Sequence, residues 1–222
     1  MKLLALETAN EQCSVCVVDE TQELFFQLDT RARAQTQTIL PMIEQALTGL
    51  ELTAGALTAI AFSRGPGSFS GVRINAAVTQ ALAWANDLPV VPISSLQALA
   101  QAAYRVAGLT AVTAVLDARM KEVYLASFQL DEQGIMQAVD AEQLLSYSDA
   151  QAWIKFDLVG SGATLLQPEQ IQYKDLNASA QDIATIARVD VRDQKWVSAE
   201  QALPVYLRDN AWKKFQNKVK HN

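Results

Sequence analysis

Three short runs of strand-forming residues open the chain, Lys2–Glu7, Gln12–Val18 and Glu23–Leu28, with only Thr8–Glu11 and Asp19–Gln22 between them. Connections this short join antiparallel neighbours, because a parallel return needs a dozen or more residues. Both breaks are rich in Asn, Asp, Glu and Thr, as turns are. A helix is predicted next over Thr36–Leu47, where Ile39, Leu40, Ile43, Ala46 and Leu47 recur at helical spacing. Pro41 lies early enough to be tolerated in its first turns. Leu57–Ser63 then reads as a strand, Ser68–Asn86 as a helix and Pro89–Ile93 as a strand. A helix capped by Ser94-Ser95 follows and runs to about Val106.

A fresh start comes after Gly108. Thr110–Leu116 and Val123–Leu130 are strong strands around the turn Asp117-Ala118-Arg119-Met120-Lys121. Weaker signals place a helix at Ser148–Ile154, a strand at Phe156–Val159 and a helix at Ala180–Arg188. Two lobes are therefore expected, residues 1–107 and a smaller, reduced lobe of residues 108–222. At 222 residues, half of them hydrophobic, the chain suffices for a sizeable core. The order of a three-strand meander, helix, strand, helix, repeated in part, is that of the actin-like ATPase (ASKHA, RNase H-like) lobes. It implies an α/β fold with two lobes, each a mixed sheet flanked by helices. A fold does not by itself give a function.

The net charge of −6 argues against a free-standing nucleic-acid binder. Between Val205 and Asn222, however, Arg208, Lys213, Lys214, Lys218 and Lys220 face only Asp209. A solvated terminus accounts for this tail, and contact with RNA or an acidic partner is the other reading. No run of about 18 apolar residues is present, as a membrane span would need. The apolar run after Met1-Lys2 meets Glu7 too early for a signal-peptide core, so a cytoplasmic location is expected.

Candidate chemistry is sparse. The only histidine is His221, so neither a histidine-based hydrolase nor a zinc site is expected. Cys13 and Cys16 form a C-x-x-C inside a strand, where residues three apart point to opposite faces, so both are read as buried thiols. Asp117 and Glu122 flank a hairpin turn, a routine place for acids. The first break, Glu7-Thr8-Ala9-Asn10, has no glycine to let a phosphate approach the backbone. Gly160-Ser161-Gly162 follows a strand but is a lone Gly-x-Gly.

The junction Ser63-Arg64-Gly65-Pro66-Gly67-Ser68-Phe69-Ser70-Gly71-Val72-Arg73 leads from a strand into a helix, with Ser68 placed as its N-cap. Such a junction is a common anion site, but the Lys-Ser/Thr ending of a Walker loop is missing. The following helix is apolar almost all round, with Ala76, Ala77, Val78, Ala81, Leu82, Ala83, Trp84 and Ala85. Either it is central to its own fold or it presses against another chain. With the first helix it would make half of an intermolecular four-helix bundle.

Taken together, these residues resemble the TsaB (YeaZ) family, the accessory subunit of bacterial tRNA threonylcarbamoyladenosine (t6A) synthesis. The matching segments are Leu3–Ala9, Ile39–Ile43, the junction Ser63–Ile74, Asp117–Tyr124 and Pro204–Asn210. The junction residues Arg64, Gly65, Pro66, Gly67, Ser68, Phe69, Gly71 and Arg73 are specific to this family and its catalytic paralogue TsaD. The resemblance implies a non-catalytic scaffold without metal or cofactor. It would pair with TsaD, with the ATPase TsaE docking on that heterodimer, and form a homodimer when alone. TsaD transfers threonylcarbamoyl to N6 of adenosine 37 in tRNAs reading ANN codons, so tRNA would be met indirectly. Pairing is expected through Thr36, Ile39, Leu40, Ile43, Val72, Asn75, Ala76 and Thr79. Two positions depart from the family: Gln35 stands where relatives often keep a histidine, and Glu7 replaces the usual Asp. The competing reading is an ATP-dependent phosphotransferase of the same fold, using Gly160–Thr164 and a first-hairpin carboxylate.

Overall fold

The computed structural model describes residues 1–208. The meander forms as its short breaks require. β1 (Leu3–Glu7) pairs antiparallel with β2 (Cys13–Val18), and β2 pairs with β3 (Glu23–Asp29). After α1 (Gln35–Gly49), β4 (Ala59–Gly65) returns parallel to β1. After α2 (Phe69–Ala85), β5 (Val90–Ser94) lies parallel to β4 and completes a sheet of order β3-β2-β1-β4-β5. β1 and β2 are buried at every residue, whereas the edge strand β3 is half-exposed. Continuous burial identifies strands covered on both faces.

α3 (Ser95–Ala107) starts on the Ser94 cap, whose Oγ accepts from the Leu96 and Gln97 N–H groups, and ends at left-handed Gly108. β6 (Ala111–Asp117) and β7 (Glu122–Leu130) form the second hairpin. β8 (Met136–Ala138) and β9 (Gln143–Ser146) both pair with β7. α4 (Tyr147–Ala150) leads into a short 3-10 turn, and β10 (Leu158–Val159) then lies parallel to β6. α5 (Ala163–Leu166) and α6 (Ala180–Arg192) follow.

Four apolar clusters set the layers. α1 and α2 cover one face of the first sheet, with Ile39, Met42, Ile43, Ala46, Ala76 and Ala83 against Leu4, Leu6, Ile60 and Phe62. α6 covers the other face through Ile183, Ala184, Ile186 and Ala187. α3 packs on the second sheet through Leu96, Leu99 and Ala103, and its Ala98 reaches the first. α3 and α6 thus lie between the sheets, pinned by the Arg105–Asp182 ion pair at 2.8 Å. Asp182 also closes the capping box with Ser179 at the start of α6.

Several expectations change. The strands β8 and β9 have no signal beforehand: one is three residues long and the other is flanked by polar residues. The helix expected at Ser148–Ile154 is a single α turn followed by the 3-10 turn Gln151–Trp153. α1 begins at Gln35 and runs through Pro41, whose ring lies on the solvent side. Although α6 follows residue 108, it packs on the first sheet, as do Val197 and Ala202 near α2. Cys13 and Cys16 are free thiols buried in opposite clusters. Lys213, Lys214, Lys218, Lys220 and His221 lie outside the described residues.

The position of α2 depends on two glycines. A Cβ at Gly67 would collide with the Ala9 carbonyl, and one at Gly71 with the Thr8 carbonyl. Gly71→Ala is therefore expected to lower stability by about 1–3 kcal/mol through overpacking against rigid backbone, read as a reduced urea midpoint with an unchanged slope. A wild-type midpoint would show that the hairpin yields freely.

Candidate functional site

The junction between β4 and α2 is built on the first hairpin. The Ser68 N–H donates to the Ala9 carbonyl at 2.7 Å, and Thr8 Oγ1 donates to the Gly71 carbonyl at 2.8 Å. Ser68 caps α2 as expected, its Oγ accepting from the Gly71 N–H. Gly65 takes φ +100°, a backbone conformation that favours glycine, and the Gly65–Pro66 peptide is cis. At this helix start the Val72 N–H goes to the Ser68 carbonyl. Arg64 forms an ion pair with Glu142 of the second lobe at 3.1 Å, and its carbonyl accepts from the Val205 N–H at 2.8 Å. Arg208 continues this strap, pairing with Glu122 and donating to the Ala118 carbonyl at 3.1 Å. Arg73 stacks over the Phe69 ring at 3.4 Å and faces the Tyr206 ring at 5.1 Å.

Of the eight residues expected to meet a partner, the structure turns six inward. Ile39, Ile43, Val72, Asn75, Ala76 and Thr79 are buried, and only Thr36 and Leu40 are exposed. The reason is the sheet: the sides of α1 and α2 that carry these residues cover it. Asn75 is a tie within the fold, its Nδ2 donating to the Leu6 carbonyl and to Ser63 Oγ at 2.8 Å. The outward stripe of α2 is instead Phe69, Arg73, Ala77, Ala81 and Trp84, spaced to share one helix face. Phe69 is 73% exposed, Trp84 66% and Leu40, on neighbouring α1, 55%. The sequence carried a signal for this stripe in its two large aromatics, but alanines populate both sides of α2 and mask the difference.

A cleft of about 1210 Å³ opens where the first hairpin, the β4–α2 junction, the start of α3 and the β6–β7 turn meet. Glu7, Asn10, Gln35, Ser68, Ser95, Asp117, Ser161 and Arg208 are among its lining residues. Gln35 is buried and donates through Nε2 to the Asn10 carbonyl. Asp117 is taken by Arg119, at 2.8 Å to its guanidinium and 2.7 Å to its backbone N–H, in a turn where Arg119, Met120 and Lys121 all have positive φ. At Gly160-Ser161-Gly162 the Gly160 N–H donates to the Tyr173 carbonyl and the Gly162 N–H to the Val115 carbonyl. A Cβ at Gly160 would meet Leu99 and Val115, so this glycine serves close packing. Among the described residues no group of three or more His, Cys, Asp or Glu could hold a metal ion. No helix there is long and apolar enough to cross a membrane.

Glu7 is the residue that sequence reasoning undervalued. It ends β1 and is 1% exposed, and one carboxylate oxygen accepts from the Ala9 N–H. Burial pushes its pKa from 4.5 to about 7, against hydrogen bonds from Ser63, Ala9 and Asn10 that favour the ionised form.

Comparison with known proteins adds a consistent set of relatives. The family model TsaD, tRNA N6-adenosine threonylcarbamoyltransferase, matches residues 29–203. The tRNA threonylcarbamoyladenosine biosynthesis protein TsaB of Escherichia coli (strain K12) is 38% identical, over 98% of this chain and 100% of that protein. Its Haemophilus influenzae counterpart is 35% identical, over 96% and 97%. The solved structure of YeaZ from Pseudomonas aeruginosa superimposes with a TM-score of 0.84 at 38% identity, covering 93% of this chain and 99% of that one.

The buried carboxyl sets a pH dependence. Glu7 is protonated in the folded state and ionised in the unfolded state between pH 4.5 and about 7. Its contribution to stability is fully present below pH 4.5 and is lost as pH rises to about 7. Glu7→Gln removes this cost, so the variant should gain about 3 kcal/mol on the wild type between acid and neutral pH. Urea unfolding at about pH 4.5 and about pH 8 reads the difference, and a gap equal at both would exclude a raised Glu7.

Proposed function

The chain belongs to the TsaB (YeaZ) family, with the actin-like two-lobe α/β fold, and from this we propose that it serves tRNA threonylcarbamoyladenosine biosynthesis as a non-catalytic scaffold subunit. Its partner in this reading is the paralogue TsaD, which transfers the threonylcarbamoyl group to N6 of adenosine 37 in tRNAs reading ANN codons. TsaE, an ATPase, docks on that heterodimer, tRNA is met indirectly, and the assembly works in the cytoplasm. When TsaD is absent the chain pairs with itself. Residues 1–107 carry the pairing surface, and the lobe of residues 108–222 braces it.

The observation that carries this reading is the outward stripe Phe69, Arg73, Ala77, Ala81 and Trp84, beside Leu40 and Thr36 of α1. Large aromatics at the ends with alanines between them let a second helix pair approach closely in the middle. Support for the non-catalytic part comes from the places a phosphate would occupy. There the Ser68, Gly160 and Gly162 N–H groups go to internal carbonyls and the Gly71 N–H to the Ser68 cap.

Reconstitution with TsaD, TsaE and tRNA, each component omitted in turn, tests the role: t6A should form only when this chain is present. Calorimetric titration of the chain alone with Mg-ATP separates the phosphotransferase alternative, which requires binding with turnover. For the surface, Ala77→Arg and Trp84→Glu should each weaken pairing with TsaD about tenfold or more while the fold persists. Ala76→Arg, which places a charge where Ala76 is buried against the sheet, should instead unfold the chain. Co-elution of Trp84→Glu with TsaD at wild-type strength would remove the stripe from the interface.

A further inference from the structure

The outward stripe of α2 has a flank beyond α1. α1 lies over β2 and β3, and α2 lies over β4. The chain at Val197 bridges to Val90 of β5, so it comes up on the side of α2 away from α1. Ala202 is buried in the cluster that holds Ala76 and Ala83. From there the chain reaches the start of α2, where the Val205 N–H donates to the Arg64 carbonyl at 2.8 Å. On this course Leu203 is 59% exposed and Tyr206 48%. The Tyr206 and Phe69 rings face one guanidinium, that of Arg73, so strap and stripe are continuous at that end. A continuous exposed apolar area of this kind marks an interaction surface.

Little in the first lobe fixes the strap. Pro204 has no N–H to donate. Among the described residues the backbone bonds of 203–207 are Leu203 N–H to the Gln201 carbonyl and Val205 N–H to the Arg64 carbonyl. The far end is held by the second lobe, where Arg208 pairs with Glu122 and donates to the Ala118 carbonyl. The two side chains of that pair are 21% and 25% exposed, so salt screens it less than a surface pair. Tyr206 sits between the Val205 bond and the Arg208 anchor, so loss of the anchor frees its ring from Arg73 without touching either helix. We propose that the strap is a third element of the pairing surface, on which the partner covers Leu203 and Tyr206 together with the α2 stripe. Arg208 and Glu122 are positioning residues in this arrangement and act through the Tyr206 ring. The inference rests on the scaffold reading, in which the partner is TsaD. It requires an apolar patch on TsaD beside the helix pair that meets α1 and α2.

Calorimetric titration of the full chain with TsaD tests it. Tyr206→Ala and Leu203→Asp should each weaken pairing about fivefold or more. Arg208→Ala and Glu122→Gln break the anchor from either side. Each should weaken pairing about threefold to tenfold with the circular dichroism spectrum unchanged. The double reversal Arg208→Glu with Glu122→Arg should recover the pairing that Arg208→Glu loses. In a Tyr206→Ala background, Arg208→Ala should cost nothing further, whereas a purely structural loss would act by the same factor in both backgrounds. Wild-type affinity in Tyr206→Ala and Leu203→Asp, or equal factors in the two backgrounds, would overturn the inference and leave the α2 stripe in place. Weakened self-association with unchanged TsaD pairing would assign the strap to contact between copies of this chain and overturn it as well. Absence of pairing in the wild type would overturn the scaffold reading, and this inference with it.

Discussion

The seat of α2 on the first hairpin is the constraint on which the remainder of the structure depends. Two glycines, Gly67 and Gly71, let the helix start lie flush on the backbone of Thr8 and Ala9. Thr8 Oγ1 and the Ser68 N–H then lock the contact with hydrogen bonds across it. Asn75, one turn further on, ties the same helix to the ends of β1 and β4. With its start fixed in direction and in rotation, α2 has no freedom over which residues meet the sheet. Val72, Asn75, Ala76, Thr79 and Ala83 go inward, and Phe69, Arg73, Ala77, Ala81 and Trp84 are left outside.

The same seat shapes the cleft. Because the hairpin is pressed against the helix start, Glu7 is sealed from solvent and its pKa rises. The strap Val205–Arg208 then crosses from the Arg64 carbonyl to the β6–β7 turn, linking the two lobes over the cleft. Arg73 connects the outer surface to this strap, since its guanidinium faces both Phe69 and Tyr206. A partner seated on the α2 stripe would therefore touch a residue that also borders the cleft.

Much of this was legible from sequence where a residue type has a single physical use. The four-residue breaks gave the antiparallel meander, and Ser68 and Ser94 gave helix starts. The C-x-x-C fell on opposite faces because strand periodicity leaves no choice. What stayed hidden were features in which one composition fits two environments. Alanine suits both the inner and the outer face of α2, so its polarity pattern cannot orient it. Asn75 looks like a surface residue until the Ser63 hydroxyl and the β1 carbonyl are placed beside it. Glu7 reads as the end of the first strand, and only the folded structure shows that it is enclosed. β8 and β9 are held mainly by pairing with β7, an interaction no local window contains.

The cleft between the lobes is bordered by two turns whose glycines pack on backbone. At the α2 start the Ser68 N–H goes to the Ala9 carbonyl, and the Gly71 and Val72 N–H groups to the Ser68 side chain and carbonyl. At the Gly160 turn the Gly160 and Gly162 N–H groups go to Tyr173 and Val115, where Gly160 packs against Leu99 and the β6 backbone. Glu7, which lines the cleft, is itself buried and accepts from the Ala9 N–H. A buried carboxyl costs the fold stability once it ionises, and an apolar or carboxamide side chain would avoid that cost.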